Sequence, residues 1–392
     1  VGRHNSSVSL SKHAEEVISS AYVRGDAQFF DRRLKLVGGL RAEQTNVQGE
    51  GRLLDPTRNF QRNAGGRVIT GPTGAPLLIA PAGTLDAVRL TTIDRGMKAE
   101  KEYLRWFPSL YASFNVTDNL IARAGHYWSV GRPSFVQYAG SLTLPNIENP
   151  PAPSNRMSVN NAGIKAWSAR TTKVRLEYYF ERVGLLSVGA FRRDFENLFG
   201  TLVTIPTAEF LGLYGLDPAV YGEYDVSTQY NRQNTVRMTG FDINYKQALT
   251  FLPHWARGVQ VFANGGRQRA TDDDGGDFQG YIPKNAAWGV SLSREKYSLR
   301  VNWSYRGRQR LNLITGRSIE PGTYQWATPR LYVDVNGDYK IHKHFALFAN
   351  FRNILDASDN FEQAGPSTPA LNRLFLRISY GSLWTIGLKG SF

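Results

Sequence analysis

Leu383-Trp384-Thr385-Ile386-Gly387-Leu388-Lys389-Gly390-Ser391-Phe392 is the stretch that decides the fold. Read at period two, one face carries Trp384, Ile386, Leu388, Gly390 and Phe392, and the other Leu383, Thr385, Gly387, Lys389 and Ser391. Such alternation belongs to a strand with one apolar and one polar face. At about ten residues it has the length of a tilted strand crossing a ~30 Å hydrocarbon layer. The expectation is the closing strand of a transmembrane antiparallel β-barrel.

Upstream, the same alternation recurs in six hairpins. Leu331, Val333, Val335, Gly337, Tyr339 and Ile341 oppose Tyr332, Asp334, Asn336, Asp338 and Lys340; after a turn at His342-Lys343-His344, Phe345, Leu347, Ala349 and Phe351 return. Leu299, Val301, Trp303 and Tyr305 alternate with Ser298, Arg300, Asn302, Ser304 and Arg306. Further back stand Thr239, Phe241, Ile243 and Tyr245, then Val174, Leu176, Tyr178 and Phe180, then Leu110, Ala112 and Phe114, and at the front Ala21–Phe30 and Leu34–Glu43. Turns such as Asp31-Arg32-Arg33, Thr117-Asp118-Asn119, Arg182-Val183-Gly184 and Arg294-Glu295-Lys296 are short. The connections at about 44–102, 131–164, 200–235, 309–328 and 356–379 are long and rich in Gly, Pro and Asn. Segregation of short turns and long loops to opposite ends is a membrane-barrel trait that a soluble sandwich has no reason to show. Six hairpins and a last strand make thirteen, whereas bacterial single-chain barrels have even counts. A sheet in lipid must also close on itself. Residues 1–392 are therefore expected to be one part of a larger barrel.

Composition agrees and narrows the classes. Of 392 residues 41% are apolar, as suits strands of which only alternate residues meet lipid. No run of 18 apolar residues could make a spanning helix. With no cysteine there is no disulfide framework, thiolate zinc site or Cys nucleophile. The net charge of +14 is spread along the chain without a basic run, which argues for charges lining a wet interior or meeting anionic ligands or lipid head groups, and against nucleic acid. Val1-Gly-Arg-His-Asn-Ser-Ser is polar, so no signal peptide is visible.

Several stretches resemble the TonB-dependent outer-membrane receptors. Tyr127-Trp128-Ser129 with Gly131-Arg132-Pro133 resembles that family's segment ending in "GRP". Glu177-Tyr178-Tyr179-Phe180 with Val183–Arg192 resembles its "EYYF…G…S…FRKD" hairpin. Asn350–Asp356 is similar to its "RNLFD" segment, and Gly387–Phe392 to its terminal "GvkgsF". The resemblance implies a 22-stranded barrel plugged by an N-terminal domain, with this chain supplying roughly the last 13 strands and neither plug nor coupling box. It implies uptake of a scarce nutrient such as a ferric siderophore, cobalamin or an oligosaccharide, in the outer membrane of a Gram-negative bacterium. The implied partners are outer-membrane lipid, the plug of the same protein, the TonB energy-coupling protein and the barrel-assembly machinery, for which Phe392 resembles the sorting signal. A passive porin-like channel and a binding or adhesion protein are the alternatives.

No catalytic motif is present: there is no HExxH, GxSxG or P-loop, and no cofactor or metal is expected. His342 and His344 read as polar turn residues, and Asp272–Asp277 as solvated loop acid lacking a calcium loop's closing Glu. Arg123, Arg175, Arg300, Arg306, Asp334, Asn336 and Lys389 fall on polar strand faces and are candidates for meeting ligand or plug; lumen solvation competes. The charge balance points to an anionic small molecule. Trp128, Tyr214, Tyr221 and Tyr224 are aromatic candidates for stacking on a chelate or sugar, with anchoring at the membrane interface as the rival role.

Overall fold

The computed structural model describes residues 1–152, 155–160, 164–180, 184–256, 258–272, 280–314 and 319–390. Thirteen long strands follow one another as an antiparallel meander: β1 (His13–Phe29), β2 (Leu34–Leu54), β3 (Thr92–Asn115), β4 (Leu120–Gly131), β5 (Trp167–Phe180), β6 (Gly184–Glu196), β7 (Val236–Ala248), β8 (Val259–Asp272), β9 (Lys284–Ser293), β10 (Tyr297–Arg306), β11 (Arg330–His342), β12 (Phe345–Arg352) and β13 (Leu383–Gly390). Each pairs with its neighbours in the chain. Among the described residues β1 and β13 do not pair with each other, so the sheet has two free edges. Phe392 and Ser391 lie outside the described residues, as do Arg182, Val183 and Asp273, Asp274 and Asp277 of the acidic stretch.

The sheet curves toward its polar face. Arg175 of β5 and Arg300 of β10 line one concavity although four strands lie between them. The opposite face presents rows set by register. Leu120, Tyr178, Leu186, Tyr245, Ala263 and Trp288 form one row near the short turns, and Ala122, Leu176, Val188, Ile243, Gly265 and Ala286 the next. The first reads as an aromatic girdle: Phe180 stacks on Tyr245 at 6.0 Å between centroids, and Trp288 lies parallel to Trp303 at 6.3 Å. Leu176 and Ile243 are about half exposed with no protein cover, as residues facing lipid must be. Val333 has the same parity but is covered, only 5% exposed, so it does not sample the open lipid face.

The packed cores lie instead beyond the long-loop end. Met97, Ala99, Leu142, Leu144, Met157, Val159, Leu211 and Val226 form one cluster, with Tyr214 and Tyr221 against it. Short strands in the loops carry it. Leu142–Thr143 runs parallel to the top of β2 and antiparallel to Met157–Val159. Met157–Val159 runs parallel to the first residues of Val226–Asn231, which pairs antiparallel with Phe199–Thr204. A second sheet joins Gln309–Leu313, Tyr324–Ala327, Asp359–Ala364 and Leu374–Ile378.

This cap corrects the sequence reading of long irregular loops. The connection expected over 44–102 shrinks because β2 continues to Leu54 and β3 starts at Thr92. The cause is a segment folded onto the polar face of β2. Gly49 and Gly51 have no side chains there, and a Cβ on either would collide with the carbonyl of Tyr138 or Gly140. Ser134 opens a single helical turn, Phe135–Tyr138, with a capping box closed by Gln137. At the other end, the β1–β2 turn places Phe30, Asp31 and Arg32 at positive φ, and Arg33 clamps it by donating to the carbonyls of Asn115 and Val116 at 3.2 and 2.6 Å.

Candidate functional site

Every strand from β4 to β13 contributes polar side chains to the concave face, and two hollows interrupt it. The first, about 570 Å³, is lined by Arg175, Ser187, Asn244, Gln260, Asn264 and Arg300 among others. The second, about 740 Å³, is lined by Arg300, Asn302, Asn336, Asp338, Asn350 and Lys389 among others. Gln260, Ser291 and Arg300 border both, so the two form one polar wall. A further hollow of about 550 Å³ beside Tyr22, Leu40 and Phe107 sits at the β1–β3 end and is mainly apolar.

Of the expected site residues the wall gathers four: Arg175, Arg300, Asn336 and Lys389. They differ in freedom. Arg175 donates to Asp242 at 2.7 Å, and Lys173 and Asn244 approach the same carboxylate at 3.6 and 3.2 Å. Lys389 lies 3.6 Å from Asp338, which also accepts from Ser298 at 2.8 Å. Arg300, opposite Asn336 in the β10–β11 register, has no ion pair among the described residues. Arg123 lies opposite Arg175 in the register and is held by Glu177 and Ser113, each at 3.0 Å.

Arg306 and Asp334 stand apart from the hollows. Arg306 points to Asp359 at 3.8 Å, a carboxylate also bonded by Arg330, and so ties the barrel rim to the second sheet. Asp334 accepts from the backbone N–H of Asn353 at 2.9 Å and fixes that residue's left-handed turn at the end of β12.

The aromatic candidates take other places. Trp128 is not in a loop: it lies in β4 on the outward face, edge-on to His126 at 4.8 Å. Tyr214 donates to the carbonyl of Asn160 at 3.0 Å and Tyr224 to that of Asn149 at 2.8 Å, so both pin one loop to another. Tyr221 packs on the cap core, where burial pushes its phenol above the ordinary range. Among the described residues no three His, Asp or Glu side chains gather as a metal site.

The sequence reading missed a ladder of guanidinium–aromatic contacts at the mouth. Arg308 lies 4.2 Å over Trp326 and bonds Glu362 at 2.7 Å, and Arg310 lies 4.5 Å over Tyr324, where burial lowers its pKa. Alternation of Arg308 and Arg310 opposite Trp326 and Tyr324 was the available signal.

The family described as "TonB dependent receptor-like, beta-barrel" matches residues 4–354. The chain belongs to that family. TonB-dependent receptors are outer-membrane proteins of the Gram-negative type, and the solved structures similar to this chain include the ferric-catecholate import receptor Fiu of E. coli K12. That likeness has a TM-score of 0.60 at 15% identity over 97% of this chain and 45% of the other. The ferric citrate transporter FecA gives 0.58 at 14% identity over 96% and 45%, and the copper transporter OprC 0.58 at 14% over 97% and 49%. At such identities the likeness concerns the fold. This TonB-dependent receptor chain spans about half the length of those structures. No curated relative matches it in sequence.

Proposed function

We propose that residues 1–392 are the C-terminal barrel wall of an outer-membrane importer, driven through TonB, for a scarce nutrient carried as an anionic small molecule such as a ferric siderophore. In this reading a plug domain of the same protein fills the lumen, and further strands complete the barrel between β13 and β1. Arg300 carries the proposal: it is a cation without an ion pair among the described residues, shared by two hollows of the wetted wall. The neighbours named above as iron transporters support the substrate class. Arg175 and Lys389, already bonded to carboxylates, suit plug docking or a supporting role beside Arg300.

The test uses the complete protein. Arg300→Ala is expected to weaken binding of a ferric chelate by about tenfold, the worth of one charge-assisted hydrogen bond, with the barrel still folded. Uptake should vanish when the coupling protein is removed. Uptake that persists without it would favour the porin-like channel, and unaltered chelate binding by the variant would remove Arg300 from the site.

A further inference from the structure

On the outward face, above the apolar rows, register brings arginines together. One row reads Thr172, Arg192, Thr239 and Arg269 across β5–β8; the next reads Trp128, Arg170, Asp194, Arg237 and Thr271 across β4–β8. Arg267 stands opposite Phe241 and Lys284 one row lower. Asp194 is 3% exposed and is the one carboxylate in these rows. It accepts from Arg192 at 3.0 Å, Arg237 at 2.9 Å and Arg170 at 3.4 Å. The three arginine side chains remain 43–50% exposed. Three cations on one carboxylate leave a local charge of about +2 facing outward, and each guanidinium has more donors than Asp194 can use.

The placement selects the ligand. From Tyr178 in the girdle to Arg170 is eight residues along β5, about 26 Å of strand and roughly 20 Å of height at the usual tilt. That is close to the height of an apolar band, so the arginines stand where acyl chains give way to head groups. Along β1–β3 the comparable outward rows read Val17, Asn46 and Glu102, then Glu15, Gln48 and Glu100. The cationic patch is therefore local to β5–β8 rather than a uniform belt.

We infer that Arg170, Arg192 and Arg237, set by Asp194, form a binding site on the outer wall for the phosphate-bearing head group of a lipid in the surrounding leaflet. Its acyl chains lie against Val174, Leu176, Val188, Phe241 and Ile243 below. Asp194 acts as a template that holds three mutually repelling cations at one spot. The site rests on the long-loop end facing outward but not on what the receptor transports.

The intact protein in detergent is exposed to a bis-phosphorylated glycolipid, its dephosphorylated form and inorganic phosphate, and bound species are counted by native mass spectrometry. Wild type is expected to retain the phosphorylated lipid at least about tenfold better than the dephosphorylated one, and Arg170→Gln/Arg192→Gln/Arg237→Gln to lose that preference. Lys98→Gln, on the outward face of β3, should keep it. Equal retention of both lipids by wild type, or an unaltered triple variant, would overturn the site; competition by inorganic phosphate at equal affinity would overturn the lipid as its ligand. Heat-modifiable gel migration reports folding. If the triple variant does not fold, Arg170→Gln and Arg237→Gln singly, with the wild-type lipid comparison, decide the matter. Failure to import any chelate would leave this result standing, which separates it from the transport proposal.

Discussion

Gly51 shows how much a single absent side chain can fix. With Gly49 it lets the backbone of 138–140 lie directly on β2, so Gly51→Val is expected to push that segment off the wall. Faster hydrogen exchange over 132–140, with β5–β13 unchanged, would record it. Val188 tests the opposite face: with Leu176 and Ile243 beside it, Val188→Arg should destabilise the folded barrel in lipid by ~2–4 kcal/mol, while Asn244→Arg on the wetted wall should cost far less. Denaturant titration in vesicles measures both, and equal costs would reverse the assignment of faces. Tyr138 and Tyr221 supply a pH dependence. Burial raises both phenols, so above about pH 10 the unfolded chain loses protons that the folded cap retains. The stability they contribute is complete below pH ~10 and falls as pH rises beyond it, visible as earlier loss of loop protection at alkaline pH.

At the scale of elements, what was legible in sequence was the barrel. Period-two alternation and short turns located all thirteen strands, because lipid on one side and water on the other impose a pattern that does not depend on distant contacts. Strand ends above the membrane were not legible. There the loops cover only the inward residues of β2 and β3, while Asn46, Gln48 and Glu100 on the other face stay exposed; polar and small residues stand on both faces, so the apolar–polar alternation fades, and pairing such as Leu53 with Leu142 depends on residues far away in the chain. The same reason hid the roles of Tyr214 and Tyr224, whose partners are backbone carbonyls. Arg175, Arg300, Asn336 and Lys389 were placed on the wetted face by parity alone, yet parity could not say that Asp242 and Asp338 engage two of them. Met157, fully buried in the cap, offers a test at this scale: Met157→Ala should cost the cap about 2–5 kcal/mol and leave the membrane-spanning strands intact. Protease resistance of the loops compared with heat-modifiable migration of the barrel separates the two.

For the whole molecule, the two free edges dominate the energetics. Among the described residues, alternate backbone groups along β1 and β13 have no strand partner, and in lipid each such group costs several kcal/mol. Residues 1–392 expressed alone are therefore expected not to insert as a monomer, whereas the protein with strands that bridge β13 to β1 should; analytical ultracentrifugation in detergent and vesicle flotation distinguish them. The cap adds a constraint of another kind. Met157–Val159 can meet Val226–Thr228 only after β5 and β6, which lie between them in the chain, have crossed the bilayer and returned. Parallel pairings of this sort close large loops, which makes them slow. The cap must then travel through assembly as loose chain and set last, so the molecule passes through a stage in which its strands are in place while the layer above them has yet to take shape.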